Sequence, residues 1–424
     1  MKLLHLLPAL FCAAEAAVPR QKRQDSSPGY GFEHGEPQSS SGKGAPILGG
    51  TNPEVDIANQ ANLGEESTDN GVVPNLKWRF SDSRTRLLPG GWVREQVITD
   101  LPVSTDIAAA QQHLQKGAIR ELHWHRVAEW GFLYAGRILI SAVDADGRYQ
   151  VSELNPGDVW YFPKGIAHVI QGLDDENEYL LAFDDGDFDK VGTTFMVDDW
   201  ILHTPLNIVL QNFGVNETVF ENLPETDPYI LNATISDAAV SAPENEALTG
   251  NNSYVYVARD NAAEAVPGGG GTFRVVDSTT FPISTTIAAA FVTLEPGGLR
   301  ELHWHPNAQE WLYFHAGTAR ASVFMGGGIA RTFDFSAGDT AVFPDNSGHY
   351  IVNTSPTETL EWVEIYKSDK VQDISLSQWL ALTPSGVVQS VMNVSAEFVA
   401  GLKKEKQLLL KGTGDLNASE AFPP

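Results

Sequence analysis

Residues 119 to 125 read Ile-Arg-Glu-Leu-His-Trp-His, and residues 299 to 305 read Leu-Arg-Glu-Leu-His-Trp-His. Each phrase is followed by a glutamate, Glu129 or Glu310, and further on by a lone histidine, His168 or His349. Three imidazoles and one carboxylate form a metal-ligand set. Its recurrence at an offset of 180 positions marks a duplicated site rather than a chance match.

In a strand, residues two apart face the same side, so His123 and His125 project together while Trp124 faces away. Arg126 to Ala128 is enough chain to turn and return Glu129 on a neighbouring strand, and His168 follows the turn at Pro163-Lys164-Gly165. The second set is His303, His305, Glu310 and His349, with its first loop one residue longer. Neutral imidazoles with a hard carboxylate suit manganese, iron or zinc. Zinc held by four protein ligands is closed and structural. Manganese or iron prefers six ligands and keeps positions open for a small molecule.

The repeat extends beyond the histidines. Thr105 to Ala110 echoes Thr285 to Ala290, and Trp200 to Pro205 echoes Trp379 to Pro384. Within each unit the apolar pattern is short and alternating, as at Arg137 to Val143 and Ala319 to Phe324. Turn clusters such as Asp144 to Gly147 and Gly326 to Gly328 break it. Short strands with frequent turns predict an all-β sandwich or barrel. Helical patterns close each unit, at Leu206 to Gly214, at Leu376 to Leu382 and at Ala396 to Leu410. The division expected is a signal peptide at 1–17, an extended arm at 18–75, a first domain at 76–222, a linker at 223–252, a second domain with C-terminal helices at 253–411, and a tail at 412–424.

Bulk properties narrow the function. A chain of 424 residues exceeds one ordinary core. Its formal net charge of −26 sets nucleic acid aside as a partner, and draws an anionic substrate in only through a local metal ion or arginine. Lys2, the apolar run Leu3 to Ala14 and the triplet Ala14-Glu15-Ala16 read as a secretory signal, which predicts a secreted, extracellular protein. That run is too short to span a bilayer, so no membrane partner is expected. Lys22-Arg23 resembles a processing site, and Cys12, the only cysteine, lies inside the signal. Sequons at Asn216, Asn232, Asn251, Asn353, Asn393 and Asn417 fit a glycoprotein.

Gly117, His123, His125, Glu129 and Gly136 are spaced like the first cupin motif, and Gly157, Pro163, Gly165 and His168 like the second. The other half matches at Gly297, His303, His305, Glu310 and Gly317, then Gly338, Pro344, His349 and Asn353. Gly172 stands where asparagine is usual, and Asn346 where glycine is usual. Two such units sharing Arg-Glu-Leu-His-Trp-His, with Phe183-Asp184-Asp185-Gly186 after the first, resemble the bicupin oxalate decarboxylases over about residues 75 to 411. The resemblance implies two jelly-roll β-barrels with short helical extensions and one Mn2+ in each barrel. It also implies dioxygen as redox cofactor and oxalate as the small-molecule substrate, converted to formate and carbon dioxide.

Several residues then acquire roles. Arg120 and Arg300 lie three positions before the first ligand, an odd offset. Strict alternation points them off the ligand face, so a bend or bulge must aim them inward. The resemblance places this arginine in the pocket, against the substrate carboxylate. Glu364, in Trp362 to Tyr366, matches the family's pocket glutamate and alternates with apolar neighbours. Burial there should raise its pKa, as suits a general acid. The first unit has Ala182 at that position. The family's acid there is a glutamate on a lid after the Asp-Asp-Gly segment. Here residues 187 to 194 hold no glutamate, and Asp187 and Asp189 are the candidates. If no proton reaches the one-carbon fragment, a second electron passes to dioxygen and the products become hydrogen peroxide and carbon dioxide. Oxalate oxidase is therefore the alternative enzyme, and a non-catalytic storage or metal-binding bicupin the alternative class. The helical tails suggest packing between units or between chains in a homo-oligomer.

Overall fold

Turn residues cut each repeat into short strands, and the strands stack as two facing antiparallel sheets. The computed structural model describes residues 66–71, 73–235 and 246–413. The signal at 1–17 with Cys12, the Lys22-Arg23 pair, most of the 18–75 arm, part of the 223–252 linker and the sequon at Asn417 lie outside them.

In the first unit, one sheet runs in the order Thr194–Met196, Ile119–His125, Ala167–Gly172, Ile138–Val143, Tyr149–Leu154. The facing sheet centres on Val159–Phe162, Glu129–Ala135, Glu176–Phe183 and Ala108–Gln115. The second unit repeats both. Ile374–Ser375, Leu299–Trp304, Gly348–Asn353 and Thr318–Gly326 form one sheet, while Asp339–Phe343, Glu310–Ala316, Leu360–Tyr366 and Ala288–Leu294 are central to the other. Sheets packed face to face bury the inward set of each alternating strand. The result is the two expected jelly rolls, each holding its histidine strand on one sheet and its glutamate strand on the other.

Sequence repetition conceals an exchange at the edges. Lys77–Arg79 opens the first unit in the chain, yet it pairs with Asp339–Ala341 of the second. Val255–Tyr256, beyond the linker, pairs with Val159–Trp160 of the first. Asp339 binds Lys77 at 2.9 Å and also binds Arg79, all three buried. Trp130, Tyr134 and Tyr161 of one unit share a core with Phe281, Trp311 and Ile365 of the other. Trp311 Nε1 donates to Gln96 Oε1 across this seam at 2.8 Å. Each barrel is thus sealed partly by its neighbour.

Helices Val197–Leu202 and Leu206–Phe213 follow the first barrel, and Leu376–Leu382, Ser385–Met392 and Ala396–Gly401 follow the second. The helical reading of Ala396 to Leu410 is corrected. The helix stops at Gly401, Leu402 is extended, and Leu409–Leu410 returns as a strand beside Leu299–Arg300. That edge offered backbone hydrogen bonds that a longer helix would have left unpaired.

The two departures from the usual motif have local causes. Asn346 holds φ 60°, the left-handed region Gly165 occupies at φ 83° in the other unit. Both amides donate to the carbonyl of a ligand histidine, His305 or His125, at 2.9 Å; asparagine tolerates this backbone better than most residues. At Gly172, a Cβ would meet Asn177 Nδ2 at 2.6 Å. Asn177 reaches in from the facing sheet to bond the Leu114 carbonyl at 2.9 Å, as Asn353 bonds that of Leu294 at 3.1 Å.

Candidate metal centres

The strand Ile119–His125 alternates until its middle, where Arg120 and Glu121 are both buried and Leu122 is exposed. The reason is a slip against the neighbouring strand. His123 faces His168 and Arg120 faces Ile170, so two residues, Glu121 and Leu122, oppose the single Val169 on the other strand. The second unit does the same, with His303 on His349 and Arg300 on Ile351. A bulge of this kind shifts the side-chain phase by one residue, which brings the arginine onto the ligand face.

His123, His125, Glu129 and His168 form one cluster, and His303, His305, Glu310 and His349 the other; in each, the ligand atoms lie within 4.8 Å of one another. All eight residues are buried. Backbone carbonyls hold most of the rings by Nδ1. His123 is held by Glu121 at 2.5 Å, His168 by Ile166 at 2.8 Å, His303 by Glu301 at 2.6 Å, His305 by Gln372 at 2.7 Å and His349 by Ser347 at 2.9 Å. His125 Nδ1 meets the Thr194 hydroxyl instead, at 3.0 Å. An Nδ1–H donated to a carbonyl leaves the Nε2 lone pair pointing inward. The Nε2 atoms of His168, His303 and His349 are buried without a hydrogen-bond partner. Glu310 Oε2 lies 2.8 Å from His349 Nε2, and Glu129 Oε2 3.3 Å from His168 Nε2. Lone pairs facing lone pairs in a buried space are reconciled by a cation, so both clusters fit a divalent metal.

The titration behaviour agrees. Burial and the nearby guanidinium hold His123 and His303 well below the ordinary imidazole range. Burial works against ionisation of Glu129 and Glu310, but the surrounding imidazoles outweigh it and keep both carboxyls below their usual range. Neutral rings and ionised carboxylates are the forms that bind metal; His305 departs from this pattern, since burial is outweighed by the Glu310 carboxylate, which draws its pKa upward. Trp160 Nε1 donates to Glu129 Oε1 at 2.9 Å, and the Tyr366 hydroxyl oxygen lies 3.3 Å from Glu310 Oε1.

The arginines part company beyond the metal ligands. Arg120 lies over the Tyr229 ring, 3.7 Å from its centroid, and bonds the Tyr229 carbonyl and Met196 Sδ at 3.4 Å each. Among the described residues it forms no ion pair with a carboxylate. Arg300 donates Nη2 to Asp373 at 2.6 Å and places Nε 3.7 Å from Glu364. Glu364 is fully buried; it accepts from the Tyr366 hydroxyl at 2.8 Å and from Trp362 Nε1 at 3.1 Å. Burial, and then the Glu310 carboxylate, push its pKa up to about 7.

Asp187 and Asp189 do not line the first cavity. Asp187 binds Lys190, and Asp189 is exposed. Phe188, between them, turns inward, stacks on Phe183 with centroids 3.5 Å apart and meets the His125 ring at 5.3 Å. In a short extended turn the apolar residue takes the buried side and its acidic neighbours face water. With Phe183 and Phe188 in place the cavity volume is about 10 Å³, the scale of one water molecule. Tyr229 also lines it, a residue from the segment read as a linker. The apolar group Tyr229-Ile230-Leu231 was the available signal.

Two facing β-sheets with three imidazoles and a carboxylate inside, present twice, define a bicupin. A Cupin family profile matches residues 80–220 and 260–400. A protein of Arthroderma benhamiae named probable oxalate decarboxylase is 57% identical over 406 residues, covering 96% of this chain and 98% of its own. The oxalate decarboxylase of Bacillus subtilis is 42% identical over 373 residues, covering 87% and 95%. A solved structure of that bacterial enzyme, concerned with its Mn(II) centres, superposes with a TM-score of 0.76 at 40% identity, covering 88% of this chain and 98% of the other. The chain belongs to the oxalate decarboxylase family of bicupin enzymes.

Proposed function

We propose that this enzyme decarboxylates oxalate with Mn2+ in both barrels and dioxygen as redox cofactor. Hydrogen oxalate gives formate and carbon dioxide. The carbon–carbon bond breaks, one carboxyl leaves as carbon dioxide, and a proton ends on the carbon of the other, without net oxidation. The manganese, bound by His123, His125, Glu129 and His168 and by His303, His305, Glu310 and His349, supplies Lewis acidity and one-electron chemistry.

The protein's own groups supply binding and proton transfer. Arg120 offers a buried guanidinium to a carboxylate, in a low-dielectric pocket where such a contact is strong. Phe188 must swing away for a dicarboxylate to enter, and its return excludes water. In the second barrel Arg300 stands beside Glu364. The observation that carries the reading is this glutamate: a buried carboxyl, raised to about 7, within 3.7 Å of the arginine. It holds a proton when an ordinary glutamate would have lost it, and can deliver it to carbon. Replacing Glu364 with Gln tests this, by formate released per metal-loaded chain.

One observation favours a second reading for the first barrel. The acid lining its cavity is the ligand Glu129. Oxidation of oxalate to carbon dioxide, with dioxygen reduced to hydrogen peroxide, needs no proton delivered to carbon. A peroxide assay on the same samples separates the two.

Secretion is supported by the N-terminal pattern, and glycosylation by the exposed sequons at Asn216, Asn232, Asn251 and Asn393. Asn353 is excluded as a glycan site, since it is buried and its amide is donated to backbone carbonyls. Assembly into a homo-oligomer is supported by Trp200, Ile208, Trp379 and Val391, apolar side chains exposed on the helices. Among the described residues no helix is long and apolar enough to cross a membrane.

A further inference from the structure

Outside both centres, three carboxylates converge beside the first barrel's ligand strand. Glu121, Asp198 and Asp227 each place an oxygen within 4.8 Å of the others. Glu121 and Asp198 are only 6% and 7% exposed. Glu121 Oε1 and Asp198 Oδ2 are buried with no hydrogen-bond partner. The nearby amides are already committed: that of Asp199 donates to Asp198 Oδ1 at 2.8 Å, and that of Tyr229 to Asp227 Oδ1 at 2.7 Å. Among the described residues, no lysine, arginine or histidine forms an ion pair with any of the three.

The other repeat shows the same position satisfied. Glu301, the counterpart of Glu121, accepts from the Ser375 hydroxyl at 2.8 Å and the Leu408 amide at 3.0 Å. The counterpart of Asp198 is Ser377. The first unit therefore surrounds its glutamate with acceptors where the second provides donors. Buried carboxylates without donors or counter-charge are costly.

We propose that Glu121, Asp198 and Asp227 hold a third cation, a hard divalent ion for which Ca2+ is the best fit. The donor set is all oxygen, unlike the imidazole-rich centres, and oxygen ligands select hard ions. Ca2+ bonds of roughly 2.4 Å accept donors nearly 5 Å apart across the ion, whereas Mg2+ demands a tighter octahedron. A cavity of about 420 Å³, lined by Glu121 and Asp198 together with Leu122 and Pro228, leaves room for water to complete the shell.

The location gives the ion a positioning role. Glu121 lies next to Arg120, and its carbonyl orients His123. Asp198 sits in the first turn of the helix that follows the Phe188 segment. Asp227 holds the amide of Tyr229, the ring beneath Arg120. A cation here ties the ligand strand, the end of the Phe188 segment and the Tyr229 connector together.

The test uses the full-length, manganese-loaded protein, equilibrated with CaCl2 and then freed of unbound metal. Elemental analysis should find one calcium per chain beside unchanged manganese. Asp198→Asn and the exposed Asp227→Asn should each weaken calcium binding at least ~10-fold, since affinity follows ligand charge, and leave manganese content intact. Calcium should also raise the melting temperature of the wild type but not of Asp227→Asn. Wild-type protein that takes up no calcium overturns the proposal, as does calcium binding equal in both variants and the wild type. A Glu121–Asp198 pair that merely shares a proton, indifferent to calcium, overturns it as well.

Discussion

The two barrels carry the same four ligands in the same geometry but treat the adjacent arginine differently. Arg120 leans on Tyr229 and has no carboxylate partner among the described residues, whereas Arg300 is bound to Asp373 and flanked by Glu364. The first barrel thus presents a buried positive charge without an acid, and the second an acid–base pair with its charge largely neutralised. Duplication preserved what the metal requires and let diverge what meets the substrate. On the proposed reading, anion binding and proton delivery, which one pocket could combine, fall to different barrels.

The strongest way to break this contrast is Glu364→Gln. Formate output at the second centre should fall by about 10²-fold or more, the usual worth of a placed general acid, with manganese content unchanged. Equal output would remove Glu364 from proton transfer. The arginines should then separate by kind of effect. Arg120→Ala should lower kcat/KM by on the order of 10²-fold, as loss of one oriented donor does, with little change in unfolding. Arg300→Ala leaves Glu364 buried without its cation and Asp373 with Lys406 alone, and should cost about 3 kcal/mol in denaturant unfolding, the lower end for a broken buried pair. Matching stability losses in both variants would contradict the asymmetry.

A pH series sharpens it further. Glu364 loses its proton near pH 4.5 when unfolded and at about 7 when folded. The folded state therefore binds more protons across that window, so this group's contribution to stability falls as pH rises from about 4.5 to about 7. In metal-free protein the wild type should lose stability over that range more steeply than Glu364→Gln; parallel curves would count against the raised pKa. The smallest effect expected is at Thr194, whose hydroxyl holds His125 where a backbone carbonyl holds His305. Thr194→Val should weaken metal binding roughly 10-fold, the lower end for loss of a group that orients a ligand. The loss should fall at the first centre alone, as read by competitive chelation.

How much of this was legible beforehand follows from which interactions are local. The His-x-His pairs, the following glutamates and the lone histidines declare themselves because strand alternation is a property of one segment, and here it occurs twice. The inward aim of Arg120 was not decidable from its own strand. The bulge that turns it is a mismatch between two strands far apart in sequence. The Phe188 segment read as acidic, yet its apolar residue, not Asp187 or Asp189, takes the buried position. Tyr229 sat in a stretch without periodicity, and the exchange of Lys77–Arg79 for Val255–Tyr256 lies at the edges of the repeated body. Each of these depends on a partner strand or surface that one segment does not specify.

The most direct test of the account is to measure metal content, formate and peroxide together on one oxalate-treated sample of purified full-length protein. Two manganese ions per chain, with one formate for each oxalate consumed and little peroxide, is the predicted result. A chain that holds no metal at its imidazole clusters, or a metal-loaded chain that yields peroxide in place of formate or leaves oxalate untouched, would contradict it.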